Sequence, residues 1–157
     1  MNIVMLGKPG SGKGTVGKML SRSLGITHIS SGELFRSYVK KAGKIGKEIN
    51  EYISKGNLVP DDLAIKLVEK RLSEPDCKKG VILDGFPRTI EQAKELDEFL
   101  KQNHSKIDIA VELKLSDKAI TDRIIKRREC PNPECREVYN LEFKKPREKG
   151  ICDICGS

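Results

Sequence analysis

The sequence predicts an α/β fold, a parallel sheet with helices on both of its faces, and three observations carry that prediction. Four short apolar runs, Ile3 to Leu6, Ile26 to Ile29, Val81 to Leu83 and Ile109 to Leu113, alternate with longer helical stretches, the pattern of strands joined by crossover helices. The first run leads straight into GKPGSGKGT, Gly7 to Thr15, a glycine-rich string placed where a strand-to-helix turn forms a phosphate cradle. The third observation sets one segment apart: from Cys130 onward the chain loses helical periodicity and is rich in Cys, Pro, Lys and Glu. Something other than an apolar core is expected to hold that satellite together.

Ile3 to Leu6 reads as a buried strand. The glycines at 7, 10, 12 and 14 let the following backbone fold tightly with its N–H groups turned inward, and a helix beginning near Lys13 adds the positive end of its dipole. Lys13 supplies a mobile cation between outer phosphates. Gly10, Ser11, Gly12, Lys13, Gly14 and Thr15 are therefore candidate binders of a nucleoside triphosphate; a flexible glycine turn with a surface lysine is the competing reading. The string departs from G-x4-G-K-[ST], because Gly14 follows Lys13 and the hydroxyl comes one position later, at Thr15. A general phosphate loop puts a magnesium-binding hydroxyl at position 14, so magnesium is expected to be held differently here, largely through water.

Helices are expected at 13–24, 31–42, 45–55, 61–73, 89–103 and 116–129. Their starts carry capping residues: Ser30 or Ser31 before Glu33, Pro60 followed by Asp61 and Asp62, Thr89 followed by Glu91, and Ser116 followed by Asp117. The stretch between the second and third strands holds more helix than one crossover needs, which points to a small insert at 30–59. The expected division is a core at 1–29 and 60–129, this insert, and the cysteine segment at 130–157.

The 157 residues are enough for one cooperative core, and 37% hydrophobic content without an 18-residue apolar stretch places the chain among soluble, non-membrane proteins. The first strand starts almost at once, with no charged-then-apolar leader before it, so a cytoplasmic location is expected. Thirty basic against twenty-three acidic residues give a net charge of +7, which suits an anionic ligand, either a small nucleotide or a nucleic-acid backbone. The absence of Trp, with three Tyr and four Phe, leaves few platforms for stacking single-stranded bases.

The third strand ends in a carboxylate, Asp84, where an acidic group orients water on phosphate-bound magnesium; a strand-end turn residue is the alternative. Gly85-Phe86-Pro87-Arg88 then places a guanidinium at the carboxyl edge of the sheet. Arg88 either grips a second phosphate with its fork of donors or pairs structurally with a helix carboxylate such as Glu91.

Cys130-x4-Cys135-x16-Cys152-x2-Cys155 has the pattern of two knuckles closing on a tetrahedral metal. Four thiolates favour zinc; an iron-sulfur cluster is the other metal reading, and disulfides suit a reducing compartment poorly. Cys77 reads as a bystander.

Five segments taken together, GKPGSGKGT, Ser31-Gly32-Glu33-Leu34-Phe35-Arg36, Leu58-Val59-Pro60-Asp61, Asp84-Gly85-Phe86-Pro87-Arg88-Thr89 and Asp122 to Arg128, resemble the adenylate kinases in order and spacing. The resemblance implies a phosphate-loop NTPase-like core and magnesium-dependent, reversible phosphoryl transfer from ATP to AMP, giving two ADP. By it, Lys13 and the glycine loop meet the ATP phosphates, and Arg36 and Arg88 the phosphate of AMP. Ser31, Gly32 and Gly85 line the AMP site, Gln92 reads the adenine edge, and the backbone near Leu58 and Val59 encloses the base. Serine at 31 stands where many members carry threonine. Arg123 and Arg127 reach the transferring phosphoryl and the ATP phosphates from the base of a lid, and their four-residue spacing places both on one helix face. A solvated basic stripe with Lys126 and Arg128 is the alternative there.

The cysteine segment resembles the zinc-bearing lid of some adenylate kinases, with structural Zn2+ and with Tyr139 four residues after the second cysteine. Four residues separate the first cysteine pair instead of the two usual in that type, so Cys130 either ligates from a widened loop or yields its place to water. Members of the family continue for several dozen residues beyond the last cysteine, through lid return strands, two further arginines, a fifth sheet strand and a closing helix. The C-terminal part of the core is therefore expected to be missing, leaving a fragment or a chain that associates through an uncovered sheet edge; a complete member is expected to be a monomer. Two other functions compete with the active kinase: a catalytically silent fragment of one, and a zinc-dependent nucleic-acid-binding module.

Overall fold

Strands β1 (Ile3–Leu6), β2 (Thr27–Ser30), β3 (Val81–Asp84) and β4 (Ile109–Glu112) pair in parallel in the order β2-β3-β1-β4 in the computed structural model, which describes residues 1–157. Ile3, Val4 and Met5 of β1 and Val81, Ile82 and Leu83 of β3 are all buried, as central strands covered on both faces must be. Their alternation splits the core. Ile3, Met5 and Ile82 join Ile26, Val16 and Leu20 on the side of α1 (Lys13–Leu24). Val4, Ile29 and Leu83 face the opposite cluster, built with α4 (Asp61–Leu72) and α5 (Ile90–Gln102). The register Met5↔Asp84 and Ser30↔Asp84 brings three strand ends level, so the loops leaving β1, β2 and β3 start from one edge. β4 forms one border of the sheet, and its Ile109 is 45% exposed.

The chain divides into two compact units, Met1–Gly7 with Gly12–Leu113, and Lys8–Ser11 with Lys114–Ser157. The sheet belongs to the first. So does the helical insert, made of α2 (Ser31–Lys40) and α3 (Lys44–Ile53). These two helices approach closely at Gly46, where a Cβ would lie 2.2 Å from the Tyr38 carbonyl oxygen. Side-chain caps start α2 and α5 as expected: Ser30 Oγ accepts from Glu33 N, and Thr89 Oγ1 from Gln92 N at 3.1 Å.

In the second unit, Ser116 caps α6 (Asp117–Lys126), and β5 (Arg127–Glu129) pairs antiparallel with β6 (Val138–Asn140). The expected helix at 116–129 is thus too long. Arg127 adopts φ −71 and ψ 136, extended backbone, because the ladder Arg127↔Asn140 to Glu129↔Val138 takes over the hydrogen bonds of the last expected turn. Leu141 N donates to Lys126 O and Cys130 N to Glu137 O, framing the ladder at both ends. Four expected strands become six, and the second strand lies one residue later than the apolar run suggests.

Candidate functional site

In the first unit, α1 starts at Gly12, which has φ 100 and ψ 10 and no side chain to cap the first turn. The earliest helical bond shown is Val16 N to Gly12 O at 3.0 Å, so the N–H groups before it have no acceptor within the helix and suit an anion. Lys13 Nζ donates to the Gly7 carbonyl at 2.7 Å, folding the cation back over the loop. Burial holds the Lys13 ammonium below its ordinary pKa; Asp84 pulls it back up and Arg88 lowers it further. Asp84 and Arg88 therefore each lie within electrostatic reach of Lys13 at one edge of the sheet. A Cβ at position 14 would sit 3.3 Å from Asp84 Oδ2, a physical reason for glycine where the general motif has a hydroxyl residue.

Asp84 has a neighbour that sequence reasoning missed. His28 Nε2 lies 3.6 Å from Asp84 Oδ2, and the two side chains are only 8% and 12% exposed. The ring fits because Gly17 has no Cβ, which would come within 2.7 Å of it. The only signal in the sequence was a polar residue inside a strand.

Just after β3, the Gly85 carbonyl collects two donors, Ser31 Oγ at 2.7 Å and Arg88 Nε at 2.6 Å. Gly85 itself has φ +78, and a Cβ there would meet Ser31 Oγ at 2.8 Å and Arg88 Nη2 at 3.0 Å. Arg88 is exposed, and its fork rests on this carbonyl, where the structural alternative put Glu91. Arg36 folds back over Gly32, with Nη1 3.2 Å from where a Cβ would be. Leu58 is half exposed and the Val59 side chain is in the core, so Val59 offers a ligand only its backbone. Gln92 is 3% exposed and engaged at both amide ends: Oε1 accepts from Arg88 N at 2.7 Å and Nε2 donates to Asp61 Oδ1 at 2.8 Å. In the sequence Asp61 was legible as a first-turn acid and as the last residue of the Leu58 to Asp61 segment, without a partner for its carboxylate.

In the second unit, Arg123 Nη1 donates to the Ser11 carbonyl at 3.1 Å, and its guanidinium carbon lies 5.7 Å from the centre of the Phe143 ring. Gly10 has φ +83 and lies against Ile124, whose Cγ1 would be 2.9 Å from a Cβ. Arg127, at the start of β5, pairs with Glu129 at 3.5 Å. The two arginines are therefore not on one helix face, and the spacing argument for them fails.

The sulfurs of Cys130, Cys135, Cys152 and Cys155 all lie within 4.8 Å of one another, with Cys130 to Cys155 at 3.5 Å and Cys135 to Cys152 at 3.6 Å. Zinc–sulfur bonds of about 2.3 Å in a tetrahedron require sulfurs about 3.8 Å apart, so the four thiols fit that ion. The Tyr139 hydroxyl oxygen lies 3.4 Å from Cys152 Sγ and accepts from Asp153 N at 2.7 Å. That hydroxyl holds the Cys152 thiol below its ordinary pKa, and bonds from Ser157 bring Cys155 down to about 6, whereas burial pushes Cys130 up and Cys135 is raised to about 12; the first two shifts favour the thiolates that a metal takes and the other two oppose them. Cys77 stands apart in the first unit, beside Arg71. No helix is long and apolar enough to cross a membrane.

The Adenylate kinase family profile matches residues 5–150. Among curated proteins, the chain is 47% identical over 156 residues to an adenylate kinase of Thermosipho melanesiensis, an alignment covering 99% of this chain and 72% of that protein. Adenylate kinases of Clostridium tetani, at 46%, and Archaeoglobus fulgidus, at 47%, align over 99% of this chain and 71% of their own lengths.

Proposed function

The chain belongs to the adenylate kinase family, and from that premise we propose how its own residues serve reversible phosphoryl transfer from ATP to AMP, which yields two ADP. One observation supports the assignment most strongly. Lys13, at the loop leaving β1, and Arg88, just after the adjacent strand β3, lie in electrostatic reach of each other with Asp84 beside them. Two cations at neighbouring strand ends suit two phosphate groups, one donating and one accepting.

Lys13 and the first-turn N–H groups of α1 bind the phosphates of ATP, with Gly10, Ser11, Gly12, Gly14 and Thr15 supplying the loop. Arg88, steadied by the Gly85 carbonyl, and Arg36 hold the phosphate of AMP. Ser31, Gly32 and the backbone at Leu58 and Val59 border that nucleotide, Gln92 meets its base, and the insert at 30–59 is the AMP-binding part. Arg123 and Arg127 are assigned to the transferring phosphoryl. Asp84, with His28 beside it, would orient the water shell of magnesium bound with ATP, and that ion would supply neutralisation of phosphate charge. No general base is needed, since the acceptor is already an anionic phosphate oxygen and the reaction depends on alignment and charge neutralisation. Cys130, Cys135, Cys152 and Cys155 hold a structural zinc ion in the segment at 130–157. Four thiolates would fill the coordination of such an ion and would leave no position for a substrate.

A coupled assay with magnesium, ATP and each nucleoside monophosphate in turn tests the reading. ADP formation that requires AMP supports it. AMP binding without turnover would make the chain a silent nucleotide binder, and turnover indifferent to the monophosphate's base would overturn the role of Gln92.

A further inference from the structure

The assignments above leave Asp61 unused. It opens α4, yet its carboxylate turns to the start of α5: Oδ1 accepts from Gln92 Nε2 at 2.8 Å and Oδ2 from Thr89 Oγ1 at 2.7 Å. From the other side, the Arg88 N–H donates to Gln92 Oε1 at 2.7 Å. The glutamine amide is clamped between a group that can only accept and one that can only donate. Turned end for end, the amide would set oxygen against carboxylate and N–H against N–H, replacing two hydrogen bonds with two repulsions. Gln92 is 3% exposed, so water does not relieve that mismatch.

We infer that Asp61 is a specificity-determining positioning residue, which fixes the sense in which the Gln92 amide meets the base of the monophosphate. The inference rests on the reading of Gln92 as the group that meets that base. Each end of the amide keeps one unused valence, a second Nε2 hydrogen and a second Oε1 lone pair. Offered in a fixed sense, these match adenine, whose N1 accepts and whose amino group donates. Hypoxanthine presents the inverse pair at the same positions, a donating N1–H and an accepting O6. An amide free to turn would serve both bases equally well. Clamped by Asp61, it serves one and faces the other with two repulsive contacts.

The test is calorimetric titration of the whole chain and of its Asp61→Asn variant with AMP and with IMP. Asparagine keeps the shape but offers either a donor or an acceptor, so only the Arg88 N–H still opposes a turn of the Gln92 amide. The preference for AMP over IMP is expected to fall by roughly tenfold, the equivalent of one hydrogen bond to a charged group. Equal weakening of both nucleotides, with the ratio unchanged, would show a structural role only and overturn the inference. Equal binding of both nucleotides by the unaltered chain would overturn the reading of Gln92, and the inference with it. Should the variant not fold, the unaltered chain decides by magnetic resonance. One Gln92 side-chain amide proton should be protected from exchange without ligand, and the second only when AMP is added. Rapid exchange of both without ligand would refute the clamp.

Discussion

The sulfurs of Cys130 and Cys155 lie 3.5 Å apart, although the first cysteine pair is spaced by four residues. The extra length is absorbed by a turn around Asn132, whose carbonyl accepts from both Cys135 N and Arg136 N at 3.0 Å and whose Oδ1 accepts from Glu134 N at 2.9 Å. Cys130 itself is fixed from the other side, since its N–H donates to Glu137 O at 2.8 Å, directly after the β5–β6 ladder. The widened loop therefore leaves Cys130 within the cluster.

Protein purified without added metal is expected to carry close to one zinc per chain by elemental analysis. No thiol should then react at pH 7.5 in the native state. Four are held by the metal, and Cys77 is shielded by burial, which pushes its thiol up to about 11, so its reactive thiolate gains population only as pH climbs toward that value. Chelator with denaturant should expose all five cysteines. Absence of bound metal would remove the site, and reaction of Cys130 alone would reduce it to three ligands.

The elements that were legible in the sequence are those set by local chemistry. Ser30, Thr89 and Ser116 announce helices because a short hydroxyl can close the first turn without tertiary help. The four parallel strands followed from apolar runs too short for helices, with β2 one residue later than its run, whereas β5 and β6 did not. The end of α6 was not legible, since Arg127 to Glu129 suit a helix by composition and leave it only to pair with Val138 to Asn140, across an intervening turn. Asp61 and His28 were missed for a related reason: a first-turn acid and a polar strand residue both have sufficient local explanations, and only the packing of α4 on α5, or of α1 on β2, shows what else they touch.

Lys13→Met keeps the aliphatic stem and removes the charge. AMP-dependent ADP formation is expected to fall by about 100-fold or more, roughly 3 kcal/mol of transition-state stabilisation. The melting temperature should hold or rise, because burial already disfavours the ammonium in the folded chain. In sign, a lysine whose folded pKa is lowered costs stability while the unfolded side chain is protonated, and that cost fades as pH rises past the folded value toward the unfolded one. Lost activity together with a matching loss of stability would point to a loop-folding role instead.

Arg88→Ala and Arg36→Ala should each weaken AMP binding by about 10- to 100-fold, the range for a hydrogen bond to a charged group, while leaving ATP affinity within a factor of about two. Arg88 makes the sharper test, since its Nε bond to the Gly85 carbonyl fixes where the fork points. Arg88→Lys keeps the charge but loses both that anchor and the fork, so it should recover little. Calorimetry with each nucleotide separates the outcomes, and an equal loss for ATP and AMP would move Arg88 out of the acceptor site.

Gly46→Ala probes the insert without touching any group assigned to a nucleotide. Its added methyl would meet the Tyr38 carbonyl oxygen at 2.2 Å and Val39 Cα at 3.2 Å, and these are backbone atoms that no rotamer change can move aside. The helices α2 and α3 must part, so unfolding free energy should drop by about 1–3 kcal/mol. Because α2 also carries Ser31, Gly32 and Arg36, AMP affinity should fall with it, while ATP binding at the loop after β1 should hold. Chemical denaturation and paired titrations read both effects. A variant as stable as the parent would mean that the two helices can separate at no cost, and the close approach at Gly46 would not be a structural requirement of the insert.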